Sequence, residues 1–229
     1  MFKKSILFCA LLAAMIGSGT AQASVVTFNL DQGINGTTPS ANDVKPWLTA
    51  SFTDIGKDLV QLVMTNNLVN ATTKLATGEY VDDWLFNVDS KIANLTATYI
   101  SGYQAVSFTT ASQTNGIPAI KAGLFDINFV DGTAGNNRFT GGMTSVYNFS
   151  AVGLTADSFV TPSASDGAIA GGYYTAADVR GIYINGAGGY SGSIGTKMLQ
   201  SSVPEPASVA LLGLGVAALA LARRRKKAQ

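Results

Sequence analysis

Any chemistry in this chain has to come from carboxylates, because the other usual groups are missing. The 229-residue sequence has no histidine, and its one cysteine is Cys9. That removes the commonest general base, the commonest zinc ligand and any Ser-His-Asp triad. It also removes disulfides, thiolate metal sites and cysteine nucleophiles from the body of the chain. Glu79, Asp82 and Asp83 lie close together, with Asp89 and Asp126 further on and Tyr80 and Trp84 beside them. Two carboxylates flanking a glycosidic bond can hydrolyse it. Neighbouring strand residues point to opposite faces, so Asp82 and Asp83 are expected to diverge. No spacing selects a catalytic pair, and solvated strand ends account for these acids. We therefore expect no enzyme activity, no resident metal and no cofactor.

Three further motifs fail on their own terms. Asp126 to Gly132 reads DINFVDG, but a calcium loop wants its second and third ligands at alternate positions. A strand ending in an Asp-Gly turn fits the run better, with calcium held by backbone and loop carboxylates as the alternative. Gly189 to Ser193 reads GYSGS, which ends on serine where a nucleophile elbow needs glycine. GAGGYS, at Gly186 to Ser191, misses the last glycine of a dinucleotide-binding loop.

Residues 24 to 202 hold eight Lys or Arg against thirteen Asp or Glu, so the body is acidic although the whole chain carries a net charge of +1. Phosphate affinity comes from clustered cations, which argues against a nucleic-acid partner. The basic residues gather at the two ends, where they serve targeting.

The elements that must position any site are strands. Short alternating runs are separated by Gly, Asn and Asp, the pattern of an antiparallel β protein. Val25 to Leu30 opens the series. Leu48, Ala50 and Phe52 alternate in the next run, and Val60, Leu62 and Met64 share one face of the run after it. Trp84, Phe86 and Val88 fall on one side, as do Phe125, Ile127 and Phe129, with Asp126 and Asn128 outward. Nine or ten such strands predict two packed sheets, an antiparallel β-sandwich or jelly roll. Two helical turns are expected as connectors, one capped by Thr155 and one by Thr175 with Asp178 completing a capping box. Tyr80, Trp84, Tyr173, Tyr174 and Tyr190 are candidate glycan contacts, with core packing as their alternative role.

The N-terminal stretch reads as a secretory leader over residues 1–23. Lys3 and Lys4 precede an apolar Ile6 to Ile16, and Ala21-Gln22-Ala23 is a small-x-small cleavage site with Ser24 as the first mature residue. The ectodomain would span 24–200. The last segment, 201–229, has three parts in order. Pro204-Glu205-Pro206 blocks a helix from running back into the domain. Ala207 to Ala222 carries no charge, and as a helix it would reach about 24 Å, slightly short of a bilayer core. Arg223, Arg224, Arg225, Lys226 and Lys227 then hold that end on the cytoplasmic side.

This ending, VPEPASVALLGLGVAALALARRRKK, resembles the PEP-CTERM sorting domain of Gram-negative bacteria. The resemblance implies recognition by an exosortase, an integral-membrane processing enzyme acting near Pro204-Glu205-Pro206. It implies export by the secretion machinery, a transient single-pass stage in the inner membrane, and a destination at the cell surface or in an extracellular polysaccharide or biofilm matrix. The expected fold is thus an all-β ectodomain between a signal helix and one membrane helix. A carbohydrate-binding module is the alternative role, and a carboxylate-based secreted hydrolase a weaker one.

Overall fold

The computed structural model describes residues 23–110, 115–119, 121–167, 169–184, 187–197 and 200–201. The expected signal helix, membrane helix, Pro204-Glu205-Pro206 and the basic run lie outside these residues. In chain order the strands are β1 (Val25–Leu30), β2 (Gln32–Gly36), β3 (Leu48–Gly56), β4 (Leu59–Asn66), β5 (Tyr80–Phe86), β6 (Thr96–Gly102), β7 (Ser107–Thr110) and β8 (Ile117–Ala119). They continue with β9 (Gly123–Phe125), β10 (Ile127–Val130), β11 (Phe139–Thr140), β12 (Thr144–Ser150), β13 (Thr175–Ile184), β14 (Ala187–Thr196) and β15 (Gln200–Ser201).

Two antiparallel sheets carry the architecture. One has six strands in the order β15-β1-β3-β4-β12-β6, and the other has seven, with β2-β14-β13-β5-β10-β7 in line and β11 beside β5. A small ribbon, β8-β9, stands apart from both. The alternation read from sequence sets the inner faces. Leu48, Ala50 and Phe52 of β3 are fully buried, and so are Val60 and Leu62 of β4. Trp84 and Phe86 of β5 meet them from the opposite sheet in one shared core.

Aromatic rings fill the space between the sheets. Phe52 stacks on Phe159 at 4.0 Å and meets Phe28 and Phe86 edge-on at 5.9 and 5.4 Å. Offset and edge-on geometries of this kind add to the energy of area burial. Phe159 is delivered by a 3-10 turn at Ala156–Phe159, whose entry is fixed as expected by Thr155: its N–H donates to Ser158 Oγ at 3.1 Å.

Three local expectations are corrected. Thr175 caps no helix; Thr175–Ile184 is the strand β13. Its hydroxyl accepts from Trp84 Nε1 at 2.9 Å and donates to the Leu85 carbonyl at 2.7 Å, so it bonds across the sheet instead of along a helix. Phe125 does not share the core of Ile127 and Phe129, but belongs to a second cluster with Leu85, Ala119, Ala122 and Ala176. Asp126, expected outward, is buried, because its carboxylate ties down the Val88 amide at 3.0 Å and the Asn115 amide. DINFVDG is therefore a buried anchor followed by β10, with its first carboxylate engaged by backbone.

Phe52 stands where both sheets and the 3-10 turn meet. Phe52→Ala should lower unfolding stability by about 3–5 kcal/mol, read from denaturant titration with an unchanged slope. A loss below about 1 kcal/mol would contradict its central place.

Candidate functional site

The seven-stranded sheet presents its inner face to the core and carries an unusual outer face. On β5, Val81 and Trp84 are both fully buried in the main core although they are three residues apart. Strict alternation forbids that spacing. The sheet accommodates it with a β-bulge: Asp178 opposes Asp83 while Val179 opposes Val81, leaving Asp82 as the extra residue. Both Asp82 and Asp83 then lie on the outer side. The expectation that they diverge to opposite faces is overturned by this one-residue insertion.

Acids from two strands and from the turn after β10 lie near the bulge. Arg180 on β13 answers two of them, with Nη2 at 2.5 Å from Asp82 and Nε at 3.4 Å from Asp178. Asp83 accepts from the Asn128 amide at 2.9 Å. Asp131 follows β10, and its backbone N–H donates to the Asp82 carbonyl at 2.7 Å. Burial raises the carboxyls of Asp82 and Asp178 above the usual range, and Arg180 partly offsets this. Asp131 is pushed up to about 8, first by burial and then by the charges of Asp83 and Asp82. Like charges this close cannot all ionise cheaply.

Two spaces flank this row. At one end the β8-β9 ribbon covers the sheet through the second apolar cluster. A small cavity of about 100 Å³ remains there, with Asp83, Asp178, Asn128 and Ser193 among its walls. At the other end lies an open groove of about 320 Å³, lined by Tyr80, Arg138, Arg180, Tyr183 and the glycine-rich edges of β13 and β14. The Arg138 guanidinium lies over the Tyr80 ring at 4.3 Å, and its Nε donates to the Thr133 carbonyl at 2.9 Å. Among the described residues, both ion pairs belong to Arg180 and none to Arg138.

The sequence-predicted aromatics do not converge. Trp84 is wholly buried, stacked on Phe86 and bonded to Thr175, so its ring offers no face to a ligand. It is a core residue. Tyr174 stacks on Phe28 at 5.9 Å. Tyr173 packs against the second cluster, with Lys197 over its ring at 4.4 Å. Tyr80 lines the groove, and Tyr190 is exposed on the neighbouring strand, paired with Ile182. Tyr183, 59% exposed, was missed, and so were Arg138 and Arg180. A signal was available: these are the two arginines of residues 24 to 202. The predicted cleavage point, Ala23-Ser24, falls directly before β1.

A comparison with protein families matches residues 202–226 to the PEP-CTERM protein-sorting motif. The chain carries that motif. No curated protein and no solved structure matches it. The match lies wholly outside the β-sandwich and leaves the groove without a relative.

The Asp131 carboxyl makes stability depend on pH. Its folded-state value lies above the usual carboxylate range, so the folded protein holds a proton that the unfolded chain releases. Stability contributed by this group is complete below about pH 4 and is lost as pH rises towards about 8. Asp131→Asn should flatten that decline and gain roughly 2–4 kcal/mol over the parent at pH 9, measured by urea unfolding. Parallel pH profiles for the two proteins would rule out this assignment.

Proposed function

We propose that this chain is a non-enzymatic protein of the cell surface or extracellular matrix, delivered by an exosortase-type system. The sorting motif on residues 202–226 carries the reading. The motif implies exosortase-type processing and export. The leader pattern of residues 1–23, the acidic body and the absence of histidine are consistent with a secreted domain that works by contact. On this reading the tail halts in the inner membrane, is processed near Pro204-Glu205-Pro206, and releases the β-sandwich outward. The outer-face acids serve the fold: Asp82 and Asp178 neutralise Arg180, which leaves them poorly suited as a general acid and base.

Replacing Pro204, Glu205 and Pro206 together with alanine should leave an unprocessed form in the inner-membrane fraction. Fractionation with mass spectrometry of the C-terminus checks this. A mature C-terminus identical to the parent's would overturn the sorting assignment.

A second reading concerns the body. The open groove combines exposed Tyr183, part of Tyr80 and the guanidinium of Arg138. An aromatic face beside a cation fits an acidic sugar: the ring stacks on the pyranose and the guanidinium pairs with its carboxylate. The body would then hold an anionic exopolysaccharide. The double change Arg138→Gln with Tyr183→Ala should weaken binding to a soluble polyuronate by about tenfold or more, with little effect on a neutral glucan. Equal retention of polyuronate by parent and variant would reject the groove as the site.

A further inference from the structure

The small cavity beside the β8-β9 ribbon is acidic on one side and apolar on the other. Its volume is about 100 Å³, and it is partly open to solvent. Strand register builds its floor. Ser193 of β14 opposes Asp178 of β13, and Asp178 opposes Asp83 of β5. One polar row therefore crosses three strands. Two residues along each strand, on the same face, Ala176 opposes Leu85 and Leu85 opposes Asn128 of β10. Pro118 and Ala119 of β8 add an apolar wall.

The polar row is short of donors. Like charges directly opposite each other on neighbouring strands are destabilising. Asp178, 8% exposed, has Arg180 Nε at 3.4 Å, but the same guanidinium sits closer to Asp82, at 2.5 Å. Asp83 receives the Asn128 amide at 2.9 Å and, among the described residues, no cation. Ser193 is 5% exposed and lines the cavity, and its hydroxyl makes no hydrogen bond among the described residues. Two carboxylates and an unanswered buried hydroxyl thus share one small space.

A primary ammonium matches this set. It carries three N–H donors and no acceptor, and Asp83, Asp178 and Ser193 can each accept one. The volume is that of about three waters, enough for an aminoethyl end, –CH₂–CH₂–NH₃⁺. Its methylenes would lie against Leu85, Ala119 and Ala176. Water alone would answer the hydroxyl but leave the two carboxylate charges opposed. A metal ion fits poorly, because Ca²⁺ takes about six to eight oxygens and these walls are largely carbon. Among the described residues, no group of three or more acidic, histidine or cysteine side chains could hold one.

We propose that the cavity between Asp83, Asp178 and Ser193 binds the end of an unbranched primary alkylammonium, supplied by a free amine or by a lysine side chain. The bound cation relieves the like-charge contact between β5 and β13. Arg138 and Tyr183 take no part, so the site stands apart from the polyuronate groove.

The test uses full-length protein in non-ionic detergent, with n-butylammonium chloride as the probe. Tetramethylammonium chloride, which has the charge but no N–H, is the control at equal ionic strength. Thermal unfolding followed by circular dichroism should rise by about 5 °C in about 50 mM n-butylammonium relative to the control. Saturation-transfer NMR should show saturable contact with the butyl chain at a Kd of about 1 mM. Nα-acetyl-lysine methylamide separates the sources. Competition with n-butylammonium assigns the site to lysine side chains as well, and no competition assigns it to free amines. Asp83→Asn keeps the shape and removes one charge, and should weaken binding by about tenfold. Ser193→Ala should weaken it several-fold, and carries the test if Asp83→Asn does not fold. The proposal is overturned if the two cations act alike on the parent, or if no saturable n-butylammonium contact is seen. Unchanged affinity in either folded variant also overturns it.

Discussion

The bulge on β5 is the constraint on which the outer face depends. Two large apolar residues, Val81 and Trp84, must both reach the core, and the chain between them supplies two aspartates. Burying Val81 and the indole of Trp84 is worth several kcal/mol, more than the loss of one regular ladder position costs. The hydrophobic register therefore wins, and the spare residue is pushed outward with its charge. Arg180 is then required nearby, because Asp82 in that position is almost covered. The outward placement of Asp82 and its ion pair with Arg180 follow from that one insertion.

The outer face is consequently divided into unequal parts. Where the β8-β9 ribbon folds back, Leu85, Phe125 and Ala176 form a dry patch over the start of β13. Five successive β13 residues, Thr175 to Val179, are buried, two of them without any core behind their side chains in the main sandwich. Beyond Arg180 the cover stops, and tyrosines and glycines of the β13-β14 pair meet solvent. A contact surface on this side is thus edged by charge and backed by a rigid sheet, which restricts what can approach it.

Much of the sandwich was legible from alternation alone. Leu48, Ala50, Phe52, Val60, Leu62 and Met64 lie where a period of two puts them. Trp84, Phe86 and Val88 also share one core. The misreadings have a common cause: each depends on a partner strand that local pattern cannot reveal. Thr175 looked like a cap because its neighbours suit a helical turn, yet Trp84 and Leu85, some ninety residues away, claim its hydroxyl. Phe125 kept perfect alternation with Ile127, but the chain turns at Asp126 and delivers it to another cluster. The site was less legible still. Residue type alone marks the tyrosines and Trp84, but burial decides which of them a ligand can touch; Trp84 is the best by type and the least available by position. The tail was readable because its signal is linear, a fixed order of proline, apolar and basic residues that needs no tertiary partner.

The strand β15 closes one edge of the six-stranded sheet. Ser201 and Gln200 pair with Val26 and Thr27, so the chain's way in and its way out lie side by side on one edge of the six-stranded sheet. A pull that lifts Ser201 away from β1 would open this ladder one rung at a time, and among the described residues two pairs hold it. Peeling those two residues lengthens the accessible leash by roughly 7 Å while leaving β1 seated on its six pairings with β3. The sandwich can thus yield its last rungs to whatever grips the motif beyond them and keep its core intact.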